Sequence, residues 1–252
     1  MDLNLKVKFE ELFARYFPGA ELPLTFYYAN EPPAGMKAAP ASKGWHCFVA
    51  DLTTVRKGKS LCVDEPALGC GKRFCGFPVP QRPNFEYFLS CGIPGKMEGE
   101  RYKKTPEIVK QMIEKWPDWQ APARYLVLKR WDKLVETDLP EAAVFFAKPD
   151  ILSGLFTLAN YEETDLFGVI APFSAGCGTL IQYPFLENQK ANPKCVLGMF
   201  DVSARPCVAA DELTFAAPMK KITRMIANLE ESFVITRSWD KVMRRLKNAG
   251  QE

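Results

Sequence analysis

The sequence predicts an α/β protein with a mixed, partly parallel sheet flanked by helices, and an α+β arrangement is the alternative. Helical and strand patterns alternate along the chain, and the second half contains a strand–helix–strand passage. In addition, 47% of the 252 residues are apolar, which suffices for one large core. Since no segment has the composition of a hinge, we expect a single globular domain spanning residues 1–252.

The first half begins with an amphipathic helix over Leu3–Tyr16, which a Pro-Gly pair ends. A short strand, Leu24–Tyr28, leads into a proline-containing loop. Helical spacing of apolar residues then predicts a second helix over Trp45–Val55. This helix would hold His46 and Cys47 in its first turn.

The middle of the chain combines a long loop with a well-defined helix start. Ser60–Pro83 is predicted to be a loop system with little secondary structure. Thr105, Pro106 and Glu107 supply a capping hydroxyl, a proline at the first helical position and a carboxylate near the positive end of the helix dipole. The helix is expected to end at Pro117.

The second half alternates between buried strands and helices. Strands are expected at Tyr125–Leu128, Ala143–Phe146, Val169–Ile170, Val196–Phe200 and Leu213–Ala216. Helices are expected over Pro149–Tyr161, from Pro218 onward, and around Trp239–Leu246. The strand–helix–strand passage suggests that part of the sheet is parallel.

Charge and hydropathy limit the classes of partner. The net charge of +3 gives no global attraction to nucleic acid or to an anionic membrane. Charged residues near the start and the lack of an apolar run of ~20 residues argue against a signal peptide or a membrane span. We therefore expect a cytoplasmic protein whose eight cysteines are reduced.

The cysteines supply the first candidate site. Cys62, Cys70 and Cys75, with Cys47 or Cys91 as a fourth ligand, could hold zinc or an iron–sulfur cluster. The spacing is irregular, so ordinary packing or a lone functional thiol is the alternative. Sites that need two histidines are excluded, because the chain has one histidine.

A glycine-rich loop, Gly69–Phe77, is the second candidate. Gly71 precedes Lys72 and Arg73, so the backbone amides and both cations could bind an anion. The glycine spacing matches neither a Walker loop nor a dinucleotide fingerprint. A simple glycine-rich turn explains the segment equally well.

A second cysteine–glycine loop follows the strand at Val169–Ile170. If Ser174 caps the next helix, Cys177 lies in its first turn between Gly176 and Gly178, where the helix dipole lowers a thiol pKa. Cys177 is therefore a candidate nucleophile. Close packing at a strand–helix junction is the structural alternative.

Two charged segments are further candidates for ligand binding. Glu100, Arg101 and Tyr102 belong to a charged run that could form a ligand lid or a solvated surface. Arg205 could clamp a carboxylate or phosphate, or pair with a neighbouring aspartate such as Asp201.

Several motifs in the same order resemble those of domain-of-unknown-function family 169, over about Trp45 to Trp239. The matching motifs are Gly69–Phe77, Glu98–Glu107, Gly176–Gly178 ahead of Tyr183-Pro184, Leu197-Gly198 with Asp201 and Ser203–Arg205, Asp211–Leu213, and Ser232-Phe233. The resemblance implies a protein typical of anaerobic bacteria and archaea, with no established reaction.

The resemblance also implies which cysteines matter. The positions of Cys70 and Cys177 are typically cysteine in that family, whereas the other cysteine positions often are not, namely those of Cys62, Cys75, Cys91, Cys195 and Cys207. This favours a site built from Cys70, Cys177 and neighbouring glycines, with Cys47 as a further member.

Three functions are compatible with these features. The leading hypothesis is a protein that binds a small ligand, zinc or an iron–sulfur cluster, with redox-linked chemistry at Cys70 and Cys177. One alternative is a thiol enzyme with Cys177 as nucleophile and His46 as base. The other is a sensor or carrier that binds an anionic metabolite through cations such as Lys72 and Arg101. We expect Cys70, Cys177 and the Glu100–Tyr102 segment to border one cavity.

Overall fold

Seven strands form one mixed sheet in a computed structural model that describes residues 1–249. The strands are β1 (Leu24–Ala29), β2 (Leu61–Val63), β3 (Tyr125–Arg130), β4 (Ala142–Ala147), β5 (Val169–Ile170), β6 (Cys195–Gly198) and β7 (Leu213–Pro218). They lie in the order β2-β3-β1-β4-β7-β6-β5. The pairs are antiparallel apart from β5 and β6, which run parallel.

Helices flank this sheet, as the sequence predicted. In the described part of the chain they are α1 (Leu3–Tyr16), α2 (Phe48–Arg56), α3 (Phe85–Phe88), α4 (Pro106–Ile113), α5 (Pro149–Ala159), α6 (Tyr183–Asn188), α7 (Met219–Asn228) and α8 (Arg237–Ala249). The predicted α/β class with a mixed sheet is confirmed. None of these helices is long and apolar enough to cross a membrane.

The chain divides into two compact units. The larger unit contains Met1–Cys75 and the chain from Ala121 onward, and therefore the whole sheet. The smaller unit is Gly76–Gln120, which contains α3 and α4. Within the smaller unit, the Phe85 and Trp116 rings meet edge to face at 5.7 Å.

The main core of the larger unit lies between the sheet and the helices α1, α5 and α7. Phe9 and Phe13 on α1 stack 5.0 Å apart, and Phe9 also contacts Trp131 at 4.5 Å. Burial of Phe9, Leu12 and Phe13 confirms the predicted apolar face of the first helix. Burial of aromatic side chains of this size is the main favourable term in holding the helix on the sheet.

The parallel pair differs from the passage that suggested it. We expected Ala143–Phe146 and Val169–Ile170 to be related by the helix between them, but β4 pairs with β1 and β7. The parallel neighbours are β5 and β6, and the connection between them contains α6. Because the residue after β5 begins the loop to Cys177, this connection places the second cysteine–glycine loop at one edge of the sheet.

Several predicted boundaries differ from those of the structure. The second helix begins at Phe48 rather than Trp45, because the His46 carbonyl accepts a hydrogen bond from Cys70 N at 3.0 Å and Cys47 is extended. His46 and Cys47 therefore precede the helix. The predicted loop over Ser60–Pro83 has little secondary structure, as expected: it contains the three-residue strand β2, whose Cys62 pairs with Val127 of β3, and two short 3-10 turns.

The end of α4 also differs from the prediction, whereas its start does not. Thr105 caps this helix, since its side chain accepts a hydrogen bond from Ile108 N, and Pro106 stands in the first turn. The predicted start is therefore confirmed. The helix ends at Ile113, four residues before Pro117, so the proline does not terminate it.

Candidate thiol site

Five cysteines of the larger unit interact with one another, and we call them the thiol cluster. Its members are Cys47, Cys70, Cys75, Cys177 and Cys207. Cys75 and Cys177 are buried, and the other three are partly exposed. The cluster includes the two cysteines that the sequence singled out, Cys70 and Cys177, together with Cys47.

Backbone pairing holds Cys47 beside Cys70. Cys47 is the residue before α2, and its neighbour His46 accepts the hydrogen bond from Cys70 N. Gly69 makes this approach possible, because a Cβ there would stand 2.2 Å from the His46 carbonyl oxygen. Glycine is thus required at this position by close contact between two backbone segments.

The same loop carries Cys75. A Cβ on Gly71 would stand 2.9 Å from Phe48 Cβ, so this glycine lets the loop pack on the start of α2. The backbone then forms a short 3-10 turn, Arg73–Cys75. The Tyr28 hydroxyl donates to the Cys75 carbonyl at 2.9 Å and fixes the end of the turn to β1.

The second cysteine–glycine loop packs against the first. A Cβ on Gly178 would lie 3.1 Å from Phe74 Cδ1, and Phe74 belongs to the 3-10 turn of the first loop. Cys177 lies in the first turn of a helix that continues as a π-helical segment, Gly178–Gln182, before α6. Such π-helical segments occur frequently at functional sites.

Asp201 connects this loop to the segment that carries Cys207. One carboxylate oxygen of Asp201 accepts from Gly176 N at 2.9 Å, and the other accepts from the backbone and hydroxyl of Ser203. The Asp201 carbonyl accepts from Arg205 N, and the chain forms a short 3-10 turn that ends at Cys207. Asp201 therefore has a positioning role in the site.

Cys47 is the central contact of the cluster. The pKa of Cys70 is raised to about 11, mainly by burial. A hydrogen bond with Cys47 also raises this pKa, whereas hydrogen bonds from the backbone N–H groups of Phe48 and of Cys70 itself lower it. Burial and a hydrogen bond with Cys47 also raise the pKa of Cys207. The side chains of Cys70 and Cys207 therefore both contact the Cys47 thiol.

The two buried members resist ionisation. Burial raises the pKa of Cys75 and of Cys177, and the charges of neighbouring thiols raise each further. The sequence-based expectation that the helix dipole lowers the pKa of Cys177 is therefore wrong. Loss of hydration outweighs the dipole here, because the side chain is only 4% exposed.

His46 faces a carboxylate and a hydroxyl. Its Nε2 lies 2.8 Å from Asp51 Oδ2, and its Nδ1 lies 2.9 Å from Ser42 Oγ. Burial raises the pKa of Asp51, and the neighbouring His46 opposes that shift. Both ring nitrogens thus have partners that are not thiols, which leaves the predicted His46–Cys177 pair without support.

Two of the predicted anion-binding cations make structural contacts. Lys72 Nζ lies 2.5 Å from Glu65 Oε1. Arg205 donates to the carbonyl oxygens of Glu212, Ala209 and Ala210. The Arg205 guanidinium therefore closes its own loop, while Arg73 begins the 3-10 turn that ends at Cys75.

The charged run belongs to the smaller unit. Glu100 N donates to the Phe88 carbonyl and Arg101 N donates to the Ser90 carbonyl, which holds the run against the end of α3. Arg101 has a positive φ of 56°, a left-handed conformation that is rare for arginine. The role of Glu100, Arg101 and Tyr102 as a lid stays a prediction.

Among the described residues, the predicted metal ligands do not form a site in which three or more side chains could bind one metal ion. Among residues 1–249, no three His, Cys, Asp or Glu side chains are arranged so that they could hold a metal ion. Zinc and an iron–sulfur cluster stay predictions. Cys75 belonged to the first candidate site, but the resemblance to family 169 favoured neither Cys75 nor Cys207. Nothing in the local spacing of Cys207 indicates its approach to Cys47.

The cluster lies within the part of the chain that a known family covers. The sequence model of family DUF169, described as "Uncharacterised ArCR", matches residues 21–228. Comparison with curated proteins and with solved structures found no match. Because the family match extends over most of the sequence and includes all five cysteines of the thiol cluster, the chain belongs to the DUF169 family.

Proposed function

We propose that this protein performs reversible thiol–disulfide chemistry, in which Cys47 forms a disulfide with Cys207 or with Cys70. The observation that carries the proposal is the contact of one sulfur, Cys47, with two other thiols. All three are partly exposed, so a small oxidant can reach them. Thiols in contact need only a small displacement to reach disulfide bonding distance.

Backbone geometry supports the pairing of Cys47 with Cys70. A disulfide requires Cα atoms about 4.4–6.8 Å apart. The hydrogen bond of 3.0 Å from Cys70 N to the His46 carbonyl holds the backbone of Cys70 next to that of Cys47. We therefore expect this disulfide to form with little movement of either loop.

A low-molecular-weight disulfide such as oxidised glutathione is the oxidant in this proposal. Cys207 lies between the exposed residues Pro206 and Ala209, so we assign it as the entry thiol. Its thiolate attacks one sulfur of the oxidant, which forms a mixed disulfide and releases one glutathione thiolate. The Cys47 thiolate then attacks the Cys207 sulfur and releases the second glutathione, which leaves the Cys47–Cys207 disulfide. Two cysteine thiols are oxidised and one glutathione disulfide is reduced.

Disulfide mapping tests this proposal. The reduced full-length protein is incubated with oxidised glutathione under nitrogen, remaining thiols are alkylated, and the digested protein is analysed by mass spectrometry. We expect Cys47 in disulfides with Cys207 and Cys70. Cys47→Ser should remove both, whereas Cys91→Ser, which changes an exposed thiol outside the cluster, should leave both in place.

Two results would contradict the proposal. In the first, Cys47 stays fully alkylatable at every glutathione ratio while the protein is folded by circular dichroism. In the second, the same disulfides form at the same rate after unfolding in urea, which would mean that the fold does not direct the pairing. Because Cys47 is partly exposed, serine at this position is expected to preserve folding.

A further inference from the structure

We propose that the reduced thiol cluster also binds one soft monovalent metal ion, Cu(I), between the sulfurs of Cys47 and Cys70. This site uses two thiols of the proposed disulfide chemistry, but it does not depend on oxidation. Three features support this site: the type of donor atom, the number of donors and the hydrogen bonds at the Cys70 sulfur.

The donors of the cluster are soft. Its five members are thiols, and a buried thioether lies beside them, since Met199 Sδ would be 3.1 Å from a Cβ on Gly176. The neighbouring carboxylate of Asp201 is engaged by Gly176 N and by Ser203. Thiolate and thioether ligands select Cu(I), zinc and iron–sulfur centres over hard cations such as Mg²⁺.

The number of available donors separates these soft candidates. Zinc and iron–sulfur sites need four ligands in most proteins, and no three potential ligands among the described residues are arranged for a metal ion. Cu(I) forms stable linear complexes with two thiolates. The 3.0 Å hydrogen bond from Cys70 N to the His46 carbonyl holds the backbones of Cys47 and Cys70 side by side, and their side chains are in contact, so both sulfurs are available to one ion.

Backbone amides are directed at one of the two sulfurs. The N–H groups of Phe48 and of Cys70 itself both hydrogen-bond to the Cys70 sulfur. Hydrogen bonds of this kind compensate the negative charge of a metal-bound thiolate. The same groups offer little to a neutral thiol, which is a weak acceptor.

The binding step conserves atoms and charge without an external oxidant or reductant. Cu(I) displaces the protons of both thiols, which gives an anionic S–Cu–S unit and two protons in solution. Affinity should therefore rise with pH. Oxidation of the same two thiols to a disulfide would remove both ligands, so metal binding belongs to the reduced protein alone.

Competition for Cu(I) tests the inference. The reduced Cys91→Ser protein is titrated under nitrogen into the coloured Cu(I) complex of bathocuproine disulfonate, and loss of colour reports transfer. We expect one Cu(I) per chain. Cys47→Ser and Cys70→Ser, each in that background, should weaken binding by more than about 100-fold, because loss of even an outer partner of a ligand costs about 10–100-fold. Cys207→Ser removes only an outer partner of the Cys47 sulfur, so it should weaken binding by no more than about 10–100-fold and by less than either ligand variant.

The outcomes separate this inference from the proposed function. If the parent protein takes no Cu(I) from the competitor but still forms the Cys47 disulfides, only the metal site is wrong. Equal affinity of the parent and both ligand variants, with folding checked by circular dichroism, would also overturn it. Titration with redox-inert Ag(I) should give the same stoichiometry, and a failure there would show that thiol oxidation explains the copper result.

Discussion

Cys195 and the thiol cluster show two different uses of buried cysteine. Cys195 lies on β6 in the main apolar core, where burial raises its pKa and the charged neighbours are Lys221, Glu163 and Glu187. Burial also raises the pKa of Cys177, but there the first charged neighbours are other thiols. Burial alone therefore does not distinguish a cysteine of the apolar core from one of the thiol cluster, whereas the identity of the neighbouring groups does.

The largest effect should come from breaking the backbone contact that brings the two loops together. Gly69→Ala places a Cβ 2.2 Å from the His46 carbonyl oxygen, which cannot yield without moving the backbone. We expect a loss of about 3 kcal/mol in the free energy of unfolding, measured by urea denaturation. It should also slow formation of the Cys47–Cys70 disulfide.

Gly176→Ala is the matched control on the other loop. Its Cβ would meet Met199 Sδ at 3.1 Å and Ala204 Cβ at 3.2 Å, and a side chain can yield by a few tenths of an ångström. Alanine also favours helix over glycine by about 1 kcal/mol. The variant should be within about 1 kcal/mol of the parent, and equal losses at both glycines would contradict the close-contact argument.

The second effect concerns the pH at which a cluster thiol reacts. Burial raises the pKa of Cys70 from 9.0 to about 11. Below both values the thiolate fraction is reduced by about 100-fold. We expect the rate of Cys70 alkylation by iodoacetamide to keep rising up to about pH 11, as followed by mass spectrometry. A rate that levels near pH 9 would show that burial does not raise the Cys70 pKa.

The same shift has a consequence for stability. The pKa of this thiol is higher in the folded state. As pH rises, the thiol of the unfolded chain therefore loses its proton first, and the thiol of the folded protein loses its proton only at higher pH. The stability from Cys70 is therefore fully present below about pH 9 and is lost as pH rises to about 11. We expect the free energy of unfolding, measured by urea denaturation at each pH, to change with pH across this interval differently in the parent and in Cys70→Ser.

The smallest effect compares packing cysteines with exposed ones. Cys195 is 0% exposed in the apolar core, so Cys195→Ser buries a hydroxyl in apolar surroundings and should cost about 2 kcal/mol. Cys91→Ser on an exposed loop should cost less than about 0.5 kcal/mol. Neither change should alter the Cys47 disulfides. Loss of those disulfides in folded Cys195→Ser would show that Cys195 and the thiol cluster are not independent of each other.

Local signals were sufficient for part of this picture. The apolar spacing of Leu3–Tyr16 and the cap at Thr105 depend on residues a few positions apart, and both were predicted. Glycines that flank Cys70 and Cys177 indicated close approach, and the clash distances at Gly69 and Gly178 give the reason.

Long-range contacts could not be predicted in this way. The contact of Cys207 with Cys47 joins distant parts of the chain, as does the hydrogen bond from Gly176 N to Asp201, which spans 25 residues. The apolar spacing predicted a helix that includes His46. The structure excludes His46 from that helix, because its carbonyl pairs with Cys70 N, which lies 24 positions further along the sequence. The parallel pairing of β5 with β6 similarly depends on sheet order, which helical and strand periodicity do not determine.

In the proposed disulfide chemistry, two alternative bonds share Cys47. One sulfur forms only one disulfide, so the Cys47–Cys70 and Cys47–Cys207 bonds exclude each other, and oxidation of the three thiols releases two electrons in total. Exchange between the two bonds transfers no electrons to or from solution, since the third thiol attacks the existing disulfide. In the proposed chemistry the three residues therefore have one reduced form and two oxidised forms, and the relative population of the two oxidised forms is independent of the solution redox potential.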